Sequence, residues 1–170
     1  MTELDFIARK SDALVKKYGT RDPQALARLS GVKLWHRSDF RELKGMYQVI
    51  LRNRFIFLNA NLSEEETRVV CAHELGHDAL HRHFAAQNGL RDSSLWDLTL
   101  KPEFEANLFA ANLLLSDESA LEAIREERTL EQASARLAVP PALLSLKALF
   151  LREKGHRIPE TPYDSRFLAK

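Results

Sequence analysis

Five consecutive residues carry the clearest chemical signal in this sequence. The run His73-Glu74-Leu75-Gly76-His77 places two histidines four residues apart, with a glutamate directly after the first. On a helix, positions i and i+4 lie on the same face, so both imidazoles can reach one metal ion at about 2.0–2.1 Å. Glu74 would then lie beside the ion, where it can accept a proton from a water molecule and deliver it to a leaving amine. The spacing therefore predicts a hydrolytic metal centre.

A third metal ligand is expected downstream, because a catalytic zinc ion usually has three protein ligands and one open position. His81 and His83 follow on the same helix. However, His81 lies about 12 Å along a straight helix from His73 at about 1.5 Å per residue, which one ion cannot span. We therefore expect His81 to support or pack beside the site, and His83 to face solvent.

Glu103 lies near the start of a second predicted helix and suits the geometry of a third ligand better than His81 or His83. One face of that helix consists of Glu103, Ala106, Asn107, Ala110 and Leu114. The small alanines would let this helix approach the motif helix closely, and Asn107 could hydrogen-bond a ligand histidine and fix its tautomer. Glu105 lies about 200° around the helix from Glu103. Geometry favours Glu103 as the third ligand and leaves Glu105 open as the alternative.

The elements that must position these residues are predicted by capping and turn signals. Ser63 with Glu66 forms a capping box, so the motif helix is expected over residues 64–84. Two helices are predicted before it, over residues 3–18 and 23–31, with strands at 32–35, 45–51 and 55–58. Further helices are predicted to start at Pro102, Ser116, Thr129 and Pro140-Pro141. This order indicates an α+β fold with a small mixed β-sheet packed against the motif helix and a C-terminal helical element.

The strand segments carry two more detailed predictions. The runs Val49-Ile50-Leu51 and Phe55-Ile56-Phe57-Leu58 lack polar alternation, which is typical of strands covered on both faces. Arg52-Asn53 between them is predicted to form the tight turn of a hairpin, because Asn tolerates the left-handed conformation.

Charge and composition disfavour several functional classes. The chain has 25 Lys and Arg against 24 Asp and Glu, so no overall field draws it to nucleic acid or an anionic membrane. Its apolar stretches fall short of the roughly 20 residues of a membrane span, and the charged N-terminus lacks the apolar region of a secretory signal. The single cysteine, Cys71, allows no intrachain disulfide and is expected in the core. We therefore expect a cytoplasmic protein.

The motif and the helix that follows it resemble the ImmA/IrrE family of metallopeptidases. The His-Glu-Leu-Gly-His run is followed, at residues 103–114, by Glu-x-x-Ala-Asn-x-Phe-Ala-Ala-x-Leu-Leu. The resemblance covers most of the chain. It implies a zincin-like fold, zinc as the cofactor, His73, His77 and Glu103 as its ligands, and Glu74 as the catalytic glutamate. It also implies a division into a metallopeptidase domain, residues 1–128, and a helix-turn-helix-like element with a tail, residues 129–170, packed as one unit.

The resemblance also implies a regulatory function. Members of the family are bacterial or phage regulators, so we expect an endopeptidase that makes site-specific cuts in a helix-turn-helix transcriptional repressor. Such cuts would relieve repression of mobile-element, toxin–antitoxin or stress-response genes. Related zinc peptidases hold the substrate as an added strand at a sheet edge, and residues 54–59 are predicted to be that edge strand. Tyr47 and Tyr163 are candidate donors to the oxyanion of the transition state.

Two alternatives remain open from the sequence. The chain could be a regulatory module that binds and controls a repressor without cutting it. It could instead bind DNA directly through residues 129–152, but basic residues are sparse there, and this makes direct nucleic-acid binding the weaker hypothesis. The basic side chains in question are Arg136, Lys147 and Arg152.

Overall fold

The computed structural model of the protein describes residues 2–83 and 96–158. In these ranges, helices α1 and α2 precede a three-stranded sheet, and five further helices follow it. The elements are α1 (Glu3–Tyr18), α2 (Pro23–Leu29), β1 (Lys33–Arg37), β2 (Gly45–Ile50), β3 (Asn53–Asn59), α3 (Glu64–Leu80), α4 (Trp96–Leu114), α5 (Asp117–Glu126), α6 (Leu130–Arg136) and α7 (Pro141–Glu153). The predicted α+β architecture is confirmed.

The sheet is mixed, and its strand order is β1-β3-β2. Strand β1 runs parallel to β3, whereas β2 runs antiparallel to it. Because β3 is paired on both sides, the prediction that residues 54–59 form an edge strand is wrong. The hairpin places β2 on one side of β3, and β1 pairs with β3 on the other side. Within the described residues, β1 and β2 are therefore the edge strands.

The turn between β2 and β3 lies one residue earlier than predicted. Leu51 and Arg52 adopt the left-handed conformation, with φ values of 48° and 63°, as a two-residue hairpin turn requires. Asn53 already begins β3, and its side-chain amide donates to the Leu51 carbonyl at 3.0 Å. Leu51 is 91% exposed and Ile50 is 43% exposed. The prediction that these strands are covered on both faces is therefore wrong at this end of the hairpin.

Helix α3 begins where the capping box predicts and packs across β2 and β3. Ser63 accepts from the backbone N–H of Glu66, and the Glu66 side chain accepts from the N–H of Ser63. The helix ends at Leu80, four residues earlier than expected, and His81 caps it through its N–H to the His77 carbonyl. A buried carboxylate, Asp78, fixes the helix to the sheet. It accepts from Tyr47 and Arg54, both at 2.8 Å.

Helix α4 is longer than predicted and lies directly against α3. It begins at Trp96, so Pro102 lies inside the helix and does not open it. Proline lacks a backbone N–H and removes one intrahelical hydrogen bond, a loss that this helix accommodates. Where the two helices are in contact, Gly76 faces Ala106, and a Cβ at Gly76 would lie only 2.9 Å from the Ala106 Cα. The absence of a side chain at Gly76 therefore sets the spacing of α3 and α4.

The C-terminal helices pack against the same two helices. Arg68 of α3 donates to the carbonyls of Leu137 and Ala138, at the turn between α6 and α7. Lys147 of α7 is buried and donates to Asn112 at 2.8 Å and to Asp117 at 2.6 Å. Among the described residues, no single helix is long and apolar enough to cross a membrane; α6 and α7 meet that test only as a pair, which is bent by 101°.

Candidate metal centre

Helices α3 and α4 bring three possible metal ligands together. His73 and His77 lie one turn apart on α3, and their Nε2 atoms are 3.1 Å apart. Glu103 of α4 faces both rings, with Oε2 at 3.2 Å from His73 Nε2 and Oε1 at 3.4 Å from His77 Nε2. His73 is buried, whereas the Glu103 side chain is 42% exposed. The group can hold a metal ion and is accessible to solvent from the Glu103 side.

The distances among these atoms suit a tetrahedral ion. An ion with bonds of about 2.0–2.1 Å to its ligands separates them by about 3.3–3.4 Å from one another. On the far side of the first ring, His73 Nδ1 lies 2.7 Å from Asn107 Oδ1. The amide oxygen can only accept, so Nδ1 carries the proton and Nε2 presents a lone pair. An imidazole lone pair that faces a carboxylate is repelled by it, and a cation bound between the two groups would remove this repulsion.

The electrostatics of the metal-free group point the same way. Burial alone would raise the pKa of Glu103, but hydrogen bonds and charge from His73 and His77 hold that pKa well below its usual range. Burial lowers the pKa of His77 to about 4. Burial also opposes protonation of His73, but contacts with Glu103 and Glu74 outweigh it and raise that pKa. The ionised Glu103 and the neutral imidazole of His77 are the protonation states that metal binding requires, whereas a proton on His73 would compete with a metal ion for that ring.

Glu74 is a buried carboxylate directly beside this group. Its side chain turns toward the start of β2, and a Cβ placed on Gly45 would lie 3.0 Å from Glu74 Oε1. Glycine at position 45 thus leaves the space that the carboxylate occupies. Burial raises the pKa of Glu74 to about 7; the negative charge of Glu103 adds to this effect, and charge on His73 and a backbone hydrogen bond to Tyr47 oppose it. A carboxylate with a near-neutral pKa is suited to general base chemistry.

The other histidines and the alternative glutamate lie where supporting roles would place them. Glu105 is not at the histidine pair; its Oε2 lies 2.7 Å from His81 Nε2. His81 in turn contacts His77, with the two Nδ1 atoms 3.0 Å apart. His83 is exposed, as expected.

Two tyrosines, Tyr47 and Tyr163, were candidate hydrogen-bond donors to the transition-state oxyanion. Tyr47 is 1% exposed and its hydroxyl donates to Asp78 at 2.8 Å. The prediction that it could serve an oxyanion at this site is therefore wrong, because its proton is already committed inside the sheet–helix interface. Tyr163 lies outside the described residues.

Two glycines, and the contact between His81 and Glu105, were not recognised from the sequence as parts of the site. Gly45 leaves room for Glu74, Gly76 lets α4 approach, and Glu105 with His81 lies behind His77. Gly76 offered a signal, because a glycine inside a helix costs about 1 kcal/mol relative to alanine and so indicates a close contact. Gly45 offered none, since its requirement comes from Val70 and Glu74, which lie on α3 far along the sequence.

The α+β fold and this group of three possible metal ligands are those of a zincin-like protein. A family model described as the IrrE N-terminal-like domain matches residues 27–148. The chain therefore belongs to the ImmA/IrrE family. It is 36% identical over 136 residues to "Uncharacterized immunity region protein 2" of Bacillus phage phi105, covering 80% of this chain and 85% of that protein. It is 27% identical over 156 residues to "Metallopeptidase ImmA" of Bacillus subtilis strain 168, covering 89% of each chain.

Proposed function

We propose that this protein is a zinc-dependent endopeptidase that makes site-specific cuts in a partner transcriptional repressor. The observation that carries the proposal is the position of the buried Glu74 carboxylate beside the three converging side chains of His73, His77 and Glu103. One of the relatives is named a metallopeptidase and the other an immunity region protein. We carry both properties to this chain as parts of the proposal.

Each residue of the group has a distinct chemical role. His73, His77 and Glu103 would hold the zinc ion, which when bound supplies a Lewis acid that polarises a carbonyl and acidifies water. Glu74 accepts the proton of the attacking water and delivers it to the nitrogen of the leaving amine. Asn107 holds the His73 ring in the tautomer that directs Nε2 toward the metal position. The exposed side of Glu103 leaves an approach for the substrate.

The free edge of β2 is the surface on which an extended substrate would lie. Within the described residues, β2 pairs with β3 alone, and its first residue, Gly45, lies against Glu74. A substrate segment that pairs with this edge extends the sheet by one strand and brings its backbone past the carboxylate. The edge of β2 takes the substrate-binding role predicted for residues 54–59, because the backbone groups of those residues already pair with a strand on each side.

A groove that begins at Val70, one helical turn before Glu74, would receive a side chain of that segment. Its volume is about 420 Å³, and its apolar wall consists of Val69, Val70, Ala135, Ala138, Val139 and Pro140. Val70 lies one helical turn before Glu74, and both border the space above Gly45. The rim is polar and includes Lys44, which is paired with Glu66 at 3.3 Å. An apolar side chain of intermediate size, close to the cut peptide bond, suits this groove best.

A repressor fits the proposal better than DNA does. Of the three basic side chains of the C-terminal helices, Lys147 is buried and Arg136 forms a salt bridge with Glu126 at 2.5 Å. These contacts leave little positive charge for phosphate groups. A repressor bound to DNA in a bacterial cell is a cytoplasmic target, which is also where we propose the protein acts.

The proposal is tested with the purified chain and candidate helix-turn-helix repressors from the same genome. Metal content by elemental analysis is expected to be one zinc ion per chain, lost in Glu103→Gln. Incubation with the repressor is expected to give two defined fragments by mass spectrometry. Glu74→Gln should keep the zinc and slow the cut by about 10²- to 10⁴-fold. Glu64→Gln, an exposed glutamate in the first turn of the same helix, is the matched control and should cut normally.

Two results would contradict the proposal in different ways. If no preparation binds zinc, even after the ion is added, there is no metallopeptidase. If zinc binds and the repressor forms a complex but stays intact with wild type, the protein is a module that controls the repressor by binding alone.

A further inference from the structure

A chain of hydrogen bonds extends from the candidate ligand His77 away from the metal position. His77 Nδ1 lies 3.0 Å from His81 Nδ1, and His81 Nε2 lies 2.7 Å from Glu105 Oε2. His81 caps the C-terminal end of α3, and Glu105 lies on α4. Both side chains are largely shielded from water, with 10% of His81 and 16% of Glu105 exposed. The contact therefore lies in the interface between the helices that form the site.

The direction of each hydrogen bond follows from the carboxylate at the end of this chain. An ionised Glu105 can only accept, so His81 Nε2 donates to it. In a neutral imidazole the other nitrogen is then an acceptor, so His81 Nδ1 receives the proton of His77 Nδ1. His77 Nε2 is left with a lone pair, and this is the atom that faces His73 and Glu103. Glu105 thus determines, through His81, which nitrogen of His77 is available to a metal.

We propose that His81 and Glu105 are positioning residues that fix the tautomer and the orientation of His77 for zinc binding. This inference rests on the proposed metal site. It gives a role to a histidine and a glutamate that are not themselves ligands, and it divides the two glutamates of α4 by function. Glu103 faces the metal position, whereas Glu105 acts on it through two imidazole rings.

The two ligand histidines are supported in different ways. Behind His73 is the neutral amide of Asn107, and behind His77 is a carboxylate that acts through a second imidazole. A zinc ion held by two neutral histidines and one glutamate has a net charge of +1. The negative charge of Glu105, connected through polarisable rings, offsets that charge within the helix interface. Lys101, which lies 3.6 Å from Glu105 and 2.6 Å from Glu3, is largely exposed and adds little.

A purely structural role for His81 would have different consequences. If the residue only packs α3 against α4, its replacement would lower the stability of the metal-free protein without a specific effect on zinc affinity. A positioning role predicts a marked loss of zinc affinity that is larger than the change in stability of the metal-free protein can explain. It also predicts that a side chain with one acceptor and one donor restores part of the affinity.

The experiment measures zinc affinity by competition with a chromophoric chelator, alongside denaturation of the metal-free forms. His81→Leu, which removes both hydrogen bonds, is expected to weaken zinc binding about 10- to 100-fold. His81→Gln should recover part of that loss, because its amide can accept from His77 and donate to Glu105. Glu105→Gln should weaken binding less than His81→Leu. The matched control is His83→Leu, an exposed histidine two residues further on, which should bind zinc like wild type.

A second readout is independent of folding yield and of peptidase activity. Long-range ¹H–¹⁵N NMR spectra of the metal-free protein report which ring nitrogen carries a proton before a metal ion imposes the tautomer. The expected result is a protonated Nδ1 on His77 in wild type, with that proton exchanging faster in Glu105→Gln.

Three outcomes decide the proposal. Zinc affinities of His81→Leu and Glu105→Gln equal to that of His83→Leu would overturn it and leave the peptidase proposal intact. If His81→Leu does not fold, the affinity of Glu105→Gln and the NMR tautomer decide. A wild-type protein that does not bind zinc overturns this proposal together with the proposed function.

Discussion

Replacing Gly76 with alanine is expected to disturb the candidate metal centre by forcing two helices apart. The new Cβ would lie 2.9 Å from the Cα of Ala106, 3.0 Å from its carbonyl oxygen and 3.3 Å from its Cβ. Carbon atoms in contact prefer about 3.5–4.0 Å, so α3 and α4 must separate by roughly 0.6–1 Å. Glu103 lies one turn before Ala106 and moves with α4. A shift of that size exceeds the tolerance of about 0.2 Å on metal–ligand distances.

The stability effect has two opposing contributions. Overpacking a tight contact costs about 1–3 kcal/mol, whereas replacing a helical glycine with alanine stabilises the helix by about 1 kcal/mol. The free energy of unfolding of the metal-free protein should therefore fall by up to about 2 kcal/mol, measured by urea denaturation. Zinc affinity, measured by chelator competition, should fall about 10- to 100-fold, comparable to losing a residue that orients a ligand.

A double variant tests which atoms of Ala106 force the helices apart. Ala106→Gly removes only the Cβ, the farthest of the three contacts, and leaves the two backbone atoms in place. The Gly76→Ala, Ala106→Gly pair should therefore still bind zinc weakly. Wild-type zinc affinity in Gly76→Ala, with unchanged stability, would refute the argument that the close approach of the helices sets the geometry of the site.

Three further outcomes follow from other parts of the structure. Ala135→Trp, at an exposed position on the wall of the groove, should lower kcat/KM for the proposed repressor substrate about tenfold or more without loss of zinc or stability. Ala13→Trp, exposed on α1, is the control, and equal kinetics of the two variants would exclude the groove from substrate binding. Burial raises the pKa of Asp117, but hydrogen bonds from lysines including Lys147 outweigh this and lower it. Because the unfolded state then takes up a proton more readily, the stability from this pair is present above pH about 4 and is lost as the pH falls through the lower folded pKa. Denaturation at several pH values should show Asp117→Asn to be less stable by about 1–2 kcal/mol near neutral pH, with a shallower loss in acid than wild type; parallel curves would contradict this. Burial raises the pKa of the Cys71 thiol, which is fully shielded, so Ellman's reagent should react at least about 100-fold faster in denaturant than with the native protein; rapid labelling of the native protein would contradict that burial.

Local signals predicted much of the fold. The capping box at Ser63, the start of the second helix at residue 23 and the helix start at Ser116 are all where they were predicted, because each depends on hydrogen bonds between residues close in sequence. The prediction for β3 as an edge strand failed for the opposite reason. Strand order depends on which distant segments pair, and the apolar pattern of a strand does not record its neighbours. Pro102 was also misread, since a proline can start a helix or lie within one.

The candidate metal centre shows the same division between what local sequence predicts and what tertiary packing decides. The spacing of His73 and His77 alone places both rings on one helical face, because the α-helix has a fixed repeat. The choice between Glu103 and Glu105 depended on the rotation of α4 about its axis, which only the packed helices decide. The same packing decides that Gly45 borders Glu74 and that Glu105 reaches His81. Contacts along one helix follow from its geometry, whereas contacts between elements follow from how their side chains fit together.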